Sequence, residues 1–286
     1  MLDALLADPE VAKTEKVRID MMKRFGYFST ESNGHLSEYV PWYRKRVGEI
    51  NRWIDLSSWI LGETCGYLRV CTEGRNWFET DFPNWMQQPP KEYIYEKRGN
   101  EHGSYIIEGL ETGRVYRGHF NVVNNGAISN LPDDCIVEVP GYVDYTGVNI
   151  PRVGDLPLGC AAACLSNITV QRLAVEAGAH GDATLLKQAM MMDPLVGAVC
   201  NPPEIWQMTD EMLIAQERWL PQYACAVTEA KARWAKAEAD GTLIPPIVTR
   251  GAARLHTKTV EEMAADKEAA RKNAAEADKA KQPAVR

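Results

Sequence analysis

The sequence has no G-x-G-x-x-G and no G-x-x-x-x-G-K-[ST], so nothing in it reads as a loop that cradles nucleotide phosphates on a helix N-terminus. Its seven cysteines include no C-x-x-C pair, and their odd number does not suit a disulfide framework or a zinc site. Cysteine used in this way points to a reducing compartment, and a cytoplasmic location is expected. The Glu-x-x-His spacing of metallohydrolases is absent, and His102, His119, His180 and His256 are scattered without ligand spacing, so no metal site is predicted from local pattern. No unbroken apolar run approaches the ~18 residues of a membrane-crossing helix, and mean hydropathy is −0.33. The opening MLDALLADPE lacks the basic flank and apolar stretch of a signal peptide. Positive charge is also short: 32 Lys and Arg face 39 Asp and Glu, for a net charge of −7. That balance argues against broad binding to nucleic acid or to anionic membranes.

What is present is an ordinary globular composition. The chain has 286 residues, 45% hydrophobic and 25% charged, enough for one large domain or two small ones. Asp8 and Pro9 suit a helix start, Gly26 suits a stop, and Val17, Met21 and Phe25 recur at four-residue steps between them. A second helix is predicted over Gly48–Gly62, with Ile50, Trp53, Ile54, Ser57 and Leu61 on one side. A Pro-, Gln- and Trp-rich connection follows over Phe82–Pro90. From about 92 to 150 the pattern turns to short β-type runs: Tyr93–Tyr95, Tyr105–Ile107, Val115–Val123, Ile136–Val139 and Tyr142–Val148. Gly, Asn and Asp clusters separate them, as in a small antiparallel sheet. Three further helices are predicted over Gly159–Glu176, Asp182–Met192 and Pro203–Trp219. Helices around a sheet give an α+β (mixed α/β) class. The expected organisation is a folded unit over 1–228 and an Ala/Lys/Glu-rich tail over 229–286. The last stretch, Lys258–Arg286, has no aromatic residue and little apolar area to bury.

Two segments concentrate chemistry. Glu31 to Arg44 gathers Glu31, Asn33, His35, Glu38, Tyr39, Tyr43 and Arg44, a density of donors and titratable groups suited to a sugar or acid–base site. On composition alone it reads more readily as a helix start in which Ser32 or Asn33 caps and His35 and Glu38 face water. Asn121 to Asp134 sets four Asn around Gly126 ahead of a strand. Those amides suit a hydroxylated ligand, or simply a turn. Cys160 and Cys164 among alanines read as close helix packing.

The two segments together carry a resemblance. The run Phe25-Gly26-Tyr27-Phe28 through Glu31-Ser32-Asn33-Gly34-His35-Leu36-Ser37-Glu38-Tyr39-Val40-Pro41-Trp42-Tyr43-Arg44-Lys45 resembles glycoside hydrolase family 4, in its α-galactosidase and α-galacturonidase branch. Asn124-x-Gly126-x-Ile128-x-Asn130-Leu131-Pro132, followed by Val137-Glu138-Val139-Pro140, is similar to that family's second signature. Asp193-Pro194-Leu195 and Glu204-Ile205-Trp206 to Trp219-Leu220-Pro221 fit its C-terminal end. The resemblance spans roughly Glu10 to Tyr223, and the family is an exception to two-carboxylate glycoside hydrolysis.

It implies a fold like the C-terminal domain of lactate and malate dehydrogenases, with the N-terminal Rossmann domain absent from this chain. It also implies a fragment that is inactive alone. The implied cofactors, NAD and Mn, would be held mainly by the missing half, and no Cys or His here matches the family's metal ligands. The implied reaction is oxidation at the sugar C3, loss of the C2 proton, elimination, addition of water and return of the hydride. Tyr39 matches the base that takes the C2 proton. Asn33, His35 and Glu38 become substrate contacts, and Asn124, Gly126 and Asn130 line the cofactor side. The implied partner is a small carbohydrate, with no nucleic acid or membrane, and the full-length form is expected to be a homo-oligomer. The alternative is a non-catalytic carbohydrate-binding or oligomerisation module that keeps the fold.

Overall fold

In the computed structural model, residues 7–54, 82–89, 98–99 and 101–245 are described. The expected run Tyr93–Tyr95 and the tail Lys258–Arg286 lie outside them. The N-terminal helix is broken at Glu15 into α1 (Pro9–Thr14) and α2 (Lys16–Phe25). Gly26 ends α2 at φ 79°, and its N–H bonds the Met22 carbonyl at 2.8 Å. α3 (Asn33–Tyr39) and α4 (Val47–Trp53) follow. α4 ends at Trp53, where Ile54 is extended and its N–H closes on the Ile50 carbonyl; the remainder of the expected span to Gly62 lies outside the described residues. Val17, Met21, Leu36, Val40, Tyr43, Ile50 and Ile54 form one core between α2, α3 and α4.

After α5 (Phe82–Met86) comes α6 (Gly103–Thr112). It corrects the β reading of Tyr105–Ile107. Three β-type residues are too few to define a period, and Tyr105, Ile106 and Gly109 take the inner face at helical spacing. Gly109 lets α6 lie against the sheet: a Cβ there would stand 3.0 Å from the Val143 carbonyl oxygen.

The sheet is antiparallel in the order β1–β2–β3, with β1 (Tyr116–Val123), β2 (Ile136–Asp144) and β3 (Gly147–Asn149). Two predicted runs merge into β2, since Pro140 and Gly141 do not interrupt it. β3 pairs only with Tyr142–Asp144, so the missing N–H of Pro140 costs no bond on that side. Val137, Val139 and Val143 point inward, and Arg117, His119, Asn121 and Glu138 outward.

The helical region comprises α7 (Leu158–His180), α8 (Ala183–Met192), α9 (Pro194–Val199), α10 (Pro202–Ala215), two 3₁₀ turns (Glu217–Trp219 and Pro221–Tyr223) and α11 (Ala224–Ala239). Asp182 caps α8 through the Thr184 and Leu185 N–H groups, and Asp193 caps α9 through Leu195 and Val196. Leu213, Tyr223 and Val227 form a core between α10 and α11, and Lys187 of α8 pairs with Asp210 of α10 at 2.7 Å. The boundary expected after residue 228 falls inside α11, whose Ala230 is fully buried.

α7 differs most from expectation. Its length and composition would suffice to cross a membrane, a property that Ser166, Asn167, Thr169 and Gln171 hide from a search for unbroken apolar runs. Only Ala161 and Ala177 are buried along its 23 residues. Asn167 and Arg172 nevertheless tie it to α3 and to Asp134 of the same chain.

Candidate functional site

The first chemistry-rich segment folds around α3. Ser32 caps the helix by accepting from the His35 N–H at 3.4 Å. Glu31 accepts from the Ser32 N–H at 2.8 Å and meets His35 Nδ1 at 3.2 Å, so its carboxylate is drawn to the helix start. His35 is exposed, and its ring centroid lies 6.3 Å from that of Tyr39.

Asn33 lies in the interior, at 0% exposure. Its Oδ1 accepts from the backbone N–H groups of Val17 at 2.7 Å and Arg18 at 3.4 Å, while Nδ2 donates to the Trp53 carbonyl at 3.3 Å. Glu15, at the cap position of α2, makes no side-chain cap bond. Asn33 therefore caps α2 from a distance and ties it to the end of α4. A sugar could reach this amide only by displacing those bonds.

Tyr39 stands at the end of α3, 44% exposed. Asn167 of α7 donates to its backbone carbonyl at 3.1 Å. Partial burial pushes its phenol pKa up from the ordinary value, and the Glu31 and Glu38 carboxylates add to that. Tyr43, four residues on, is buried and donates its hydroxyl to Asp20 at 2.8 Å, with its ring edge-on to Trp53. Burial first, then the bond to Asp20, pushes the Tyr43 phenol far above the ordinary range. Glu38 reaches Arg44 at 3.4 Å, and Arg44 is almost wholly buried beneath α3.

In the second segment Asn125 (φ 41°) and Gly126 (φ 77°) make the turn, in the region that favours Asn and Gly. The Asn124 amide is buried and turned on its own loop. Nδ2 faces the carbonyls of Ile128, Leu131 and Pro132, and Oδ1 accepts from the Ile128 N–H at 2.7 Å. Asn130 pairs with the Leu156 backbone in both directions, at 2.7 and 2.9 Å. These amides fasten the loop to itself and to the segment leading into α7. Its apolar residues, Ala127, Ile128, Leu131 and Cys135, pack with Val137, Val139 and Ala161 of α7.

α7 thus links the two segments. Ala161 sits over the Asn loop, and Asn167, about 9 Å further along the helix, holds the end of α3. His35, Glu38 and Tyr39 come together on α3. Asn33, Asn124 and Asn130 are turned inward elsewhere, and Gly126 is a turn residue. Sequence reasoning missed Arg44 as a buried cation and Asn167 as the α3 anchor. Neither carries a local signal, because their partners come from tertiary packing. Among the described residues no three His, Cys, Asp or Glu side chains are grouped as a metal would require.

Residues 3–196 match the family model described as the family 4 glycosyl hydrolase C-terminal domain. Similar relatives include the alpha-galactosidase of Rhizobium meliloti (strain 1021), 55% identical over 278 residues, which cover 96% of this chain and 55% of that protein. The alpha-galactosidase of Bacillus subtilis (strain 168) is 32% identical over 73% of this chain and 46% of its own length. Among solved structures, lplD of Bacillus subtilis is similar at TM-score 0.56 and 25% identity, over 72% of this chain and 44% of that one. The chain spans about half the length of the curated relatives it matches. It belongs to glycoside hydrolase family 4, of which it forms the C-terminal domain.

Proposed function

We propose that this chain is the substrate-side part of a glycosidase acting on α-galactosides, and that Tyr39 is the group that removes a proton from the sugar. The names of the two relatives support the substrate class, since both are alpha-galactosidases. The observation that carries the residue is the contrast between two tyrosines. Tyr39 presents its ring to solvent at the end of α3, and its carbonyl is bonded to α7. Tyr43 is buried and its hydroxyl is already committed to Asp20. His35, one turn before Tyr39 with its ring beside it, and Glu38 are the groups placed to meet sugar hydroxyls.

NAD and a divalent metal, which the family resemblance implies, do not fit this chain by itself. Its described residues group no metal ligands, and its sequence has no Gly-rich loop for a pyrophosphate. We assign both to the part of the protein that the relatives carry beyond the match. Tyr39 needs that part for a second reason. A base must lose its own proton first, and the surroundings in this chain push the phenol pKa the other way. A positive charge brought opposite the ring would reverse the shift.

A chimera tests the reading: the Rhizobium meliloti relative with its matching portion replaced by this chain, supplied with NAD and manganese. It should hydrolyse an aryl α-galactoside faster than the α-galacturonide, and the 286-residue chain alone should be inactive and bind no NAD. Activity in the isolated chain, or a preference for the galacturonide, would contradict the proposal.

A further inference from the structure

Arg44 is the largest of the fully buried side chains among the described residues, and it carries a charge. A buried guanidinium persists only where hydrogen bonds and opposite charge replace lost water. Here Nε donates to Ser37 Oγ at 2.7 Å, while Nη2 faces the Gly34 carbonyl and Glu38 Oε1, each at 3.4 Å. Ser37 in turn donates to the Gly34 carbonyl. Positions 34, 37 and 38 lie on one face of α3, so a single planar group grips the helix at three points. The next residue is Tyr39.

We propose that Arg44 is the positioning residue of this site: it fixes α3 by its inner face and, through Glu38, governs the negative charge that meets the Tyr39 phenol. The proposal rests on reading Tyr39 as the proton acceptor. Glu31 and Glu38 are the carboxylates acting on that phenol, and the His35 ring stands beside it. α2, packed on α3, turns Asp20 to Tyr43 and Arg18 to Glu15 and Ser29; from α7 the contact is the neutral amide of Asn167, and α9, also packed against α3, has no charged side chain. Each carboxylate has a cationic or titratable companion: Glu31 has His35, and Glu38 has Arg44. The Glu38 companion is the buried and permanently charged one. Burial lowers the Arg44 pKa and Glu38 opposes that, as expected for a guanidinium retained by its carboxylate.

The test uses the 286-residue chain labelled with ¹³Cζ-tyrosine, with the Tyr39 signal assigned by its loss in Tyr39→Phe and folding checked by circular dichroism at each pH. Glu38→Gln should lower the Tyr39 titration midpoint by roughly 0.2 to 0.7 of a pH unit. Arg44→Met should raise it by a similar amount, and Arg44→Lys should recover part of that rise. In a Glu38→Gln background Arg44→Met should no longer raise it, an outcome that a purely structural role would not give. Should Arg44→Met fail to fold, Glu38→Gln and Arg44→Lys carry the test. A midpoint unmoved by Glu38→Gln, or an Arg44 effect indifferent to Glu38, overturns the proposal. The role of Tyr39 itself is read separately, from proton exchange at the sugar in the chimera, so either claim can fail while the other stands.

Discussion

The side-chain oxygen of Asn33 lies 2.7 Å from the backbone nitrogen of Val17, sixteen positions earlier, and closes the first turn of α2. This bond, with the reach of the same amide to Trp53, makes α2, α3 and α4 one unit on which Tyr39 is mounted. Asn33→Ala should therefore cost about 2–3 kcal/mol, read as a lowered urea midpoint at unchanged slope. Asn33→Asp keeps the acceptor for α2 but sets an oxygen against the Trp53 carbonyl in a fully buried position, so it should also destabilise. Equal stability in Asn33→Ala and wild type would contradict the capping role.

Asp210 gives the fold an acid limit. Burial alone would raise its pKa, but Arg233 at 2.8 Å and Lys187 at 2.7 Å outweigh that and hold it below the ordinary value. A carboxyl depressed in the folded state adds stability above its unfolded pKa of about 3.9, and that stability is lost as pH falls. Stability should decline from about pH 5 downward. Asp210→Asn should flatten that limb while lowering stability at pH 7 by about 3 kcal/mol, since Lys187 would be left buried beside a neutral group. An acid limb of unchanged slope in the variant would contradict this assignment.

Two glycines of left-handed conformation separate backbone strain from packing. At Gly26 (φ 79°) a Cβ would meet nothing within 4 Å, so Gly26→Ala should cost about 1–2 kcal/mol. At Gly181 (φ 66°) it would fall 2.1 Å from the Gln222 carbonyl oxygen, forcing the junction of α7 and α8 away from the 3₁₀ turn. The melting temperature of Gly181→Ala should drop clearly further than that of Gly26→Ala. Equal drops would show that the junction yields freely.

The exposed flank of α7 predicts association of the isolated chain. Leu158, Leu165 and Val175 are exposed along it, on a helix with no charged residue before Arg172. Light scattering should show species larger than the monomer at high concentration, and Leu165→Asp with Val175→Asp should reduce them. A monodisperse monomer for the unsubstituted chain would count against the prediction.

Where one element follows one local rule, the sequence shows it plainly. The stripe Val17–Met21–Phe25, the β-type runs of β1 and β2, and the turn at Asn125–Gly126 are of this kind. Tyr105–Ile107 misled because its helical face is completed by Gly109, whose fit against Val143 belongs to tertiary packing. At the site, Ser32 capping α3 was visible because its partner is three residues away. Asn33, Asn124 and Asn130 looked like ligand contacts because an amide that binds backbone and one that binds sugar have the same composition. Only distances, such as the 2.7 Å from Asn130 to the Leu156 carbonyl, distinguish them.

The proton that Tyr39 is proposed to take gives the sharpest test. Run in deuterated water, the chimera should place deuterium at C2 of the released galactose. Tyr39→Phe should slow that incorporation by about 10² to 10⁴, with folding unchanged because the ring remains. Tyr43→Phe, which loses only its bond to Asp20, should lower stability and leave the exchange near the unsubstituted rate. Exchange unaltered in Tyr39→Phe, or abolished in a folded Tyr43→Phe, would contradict the account.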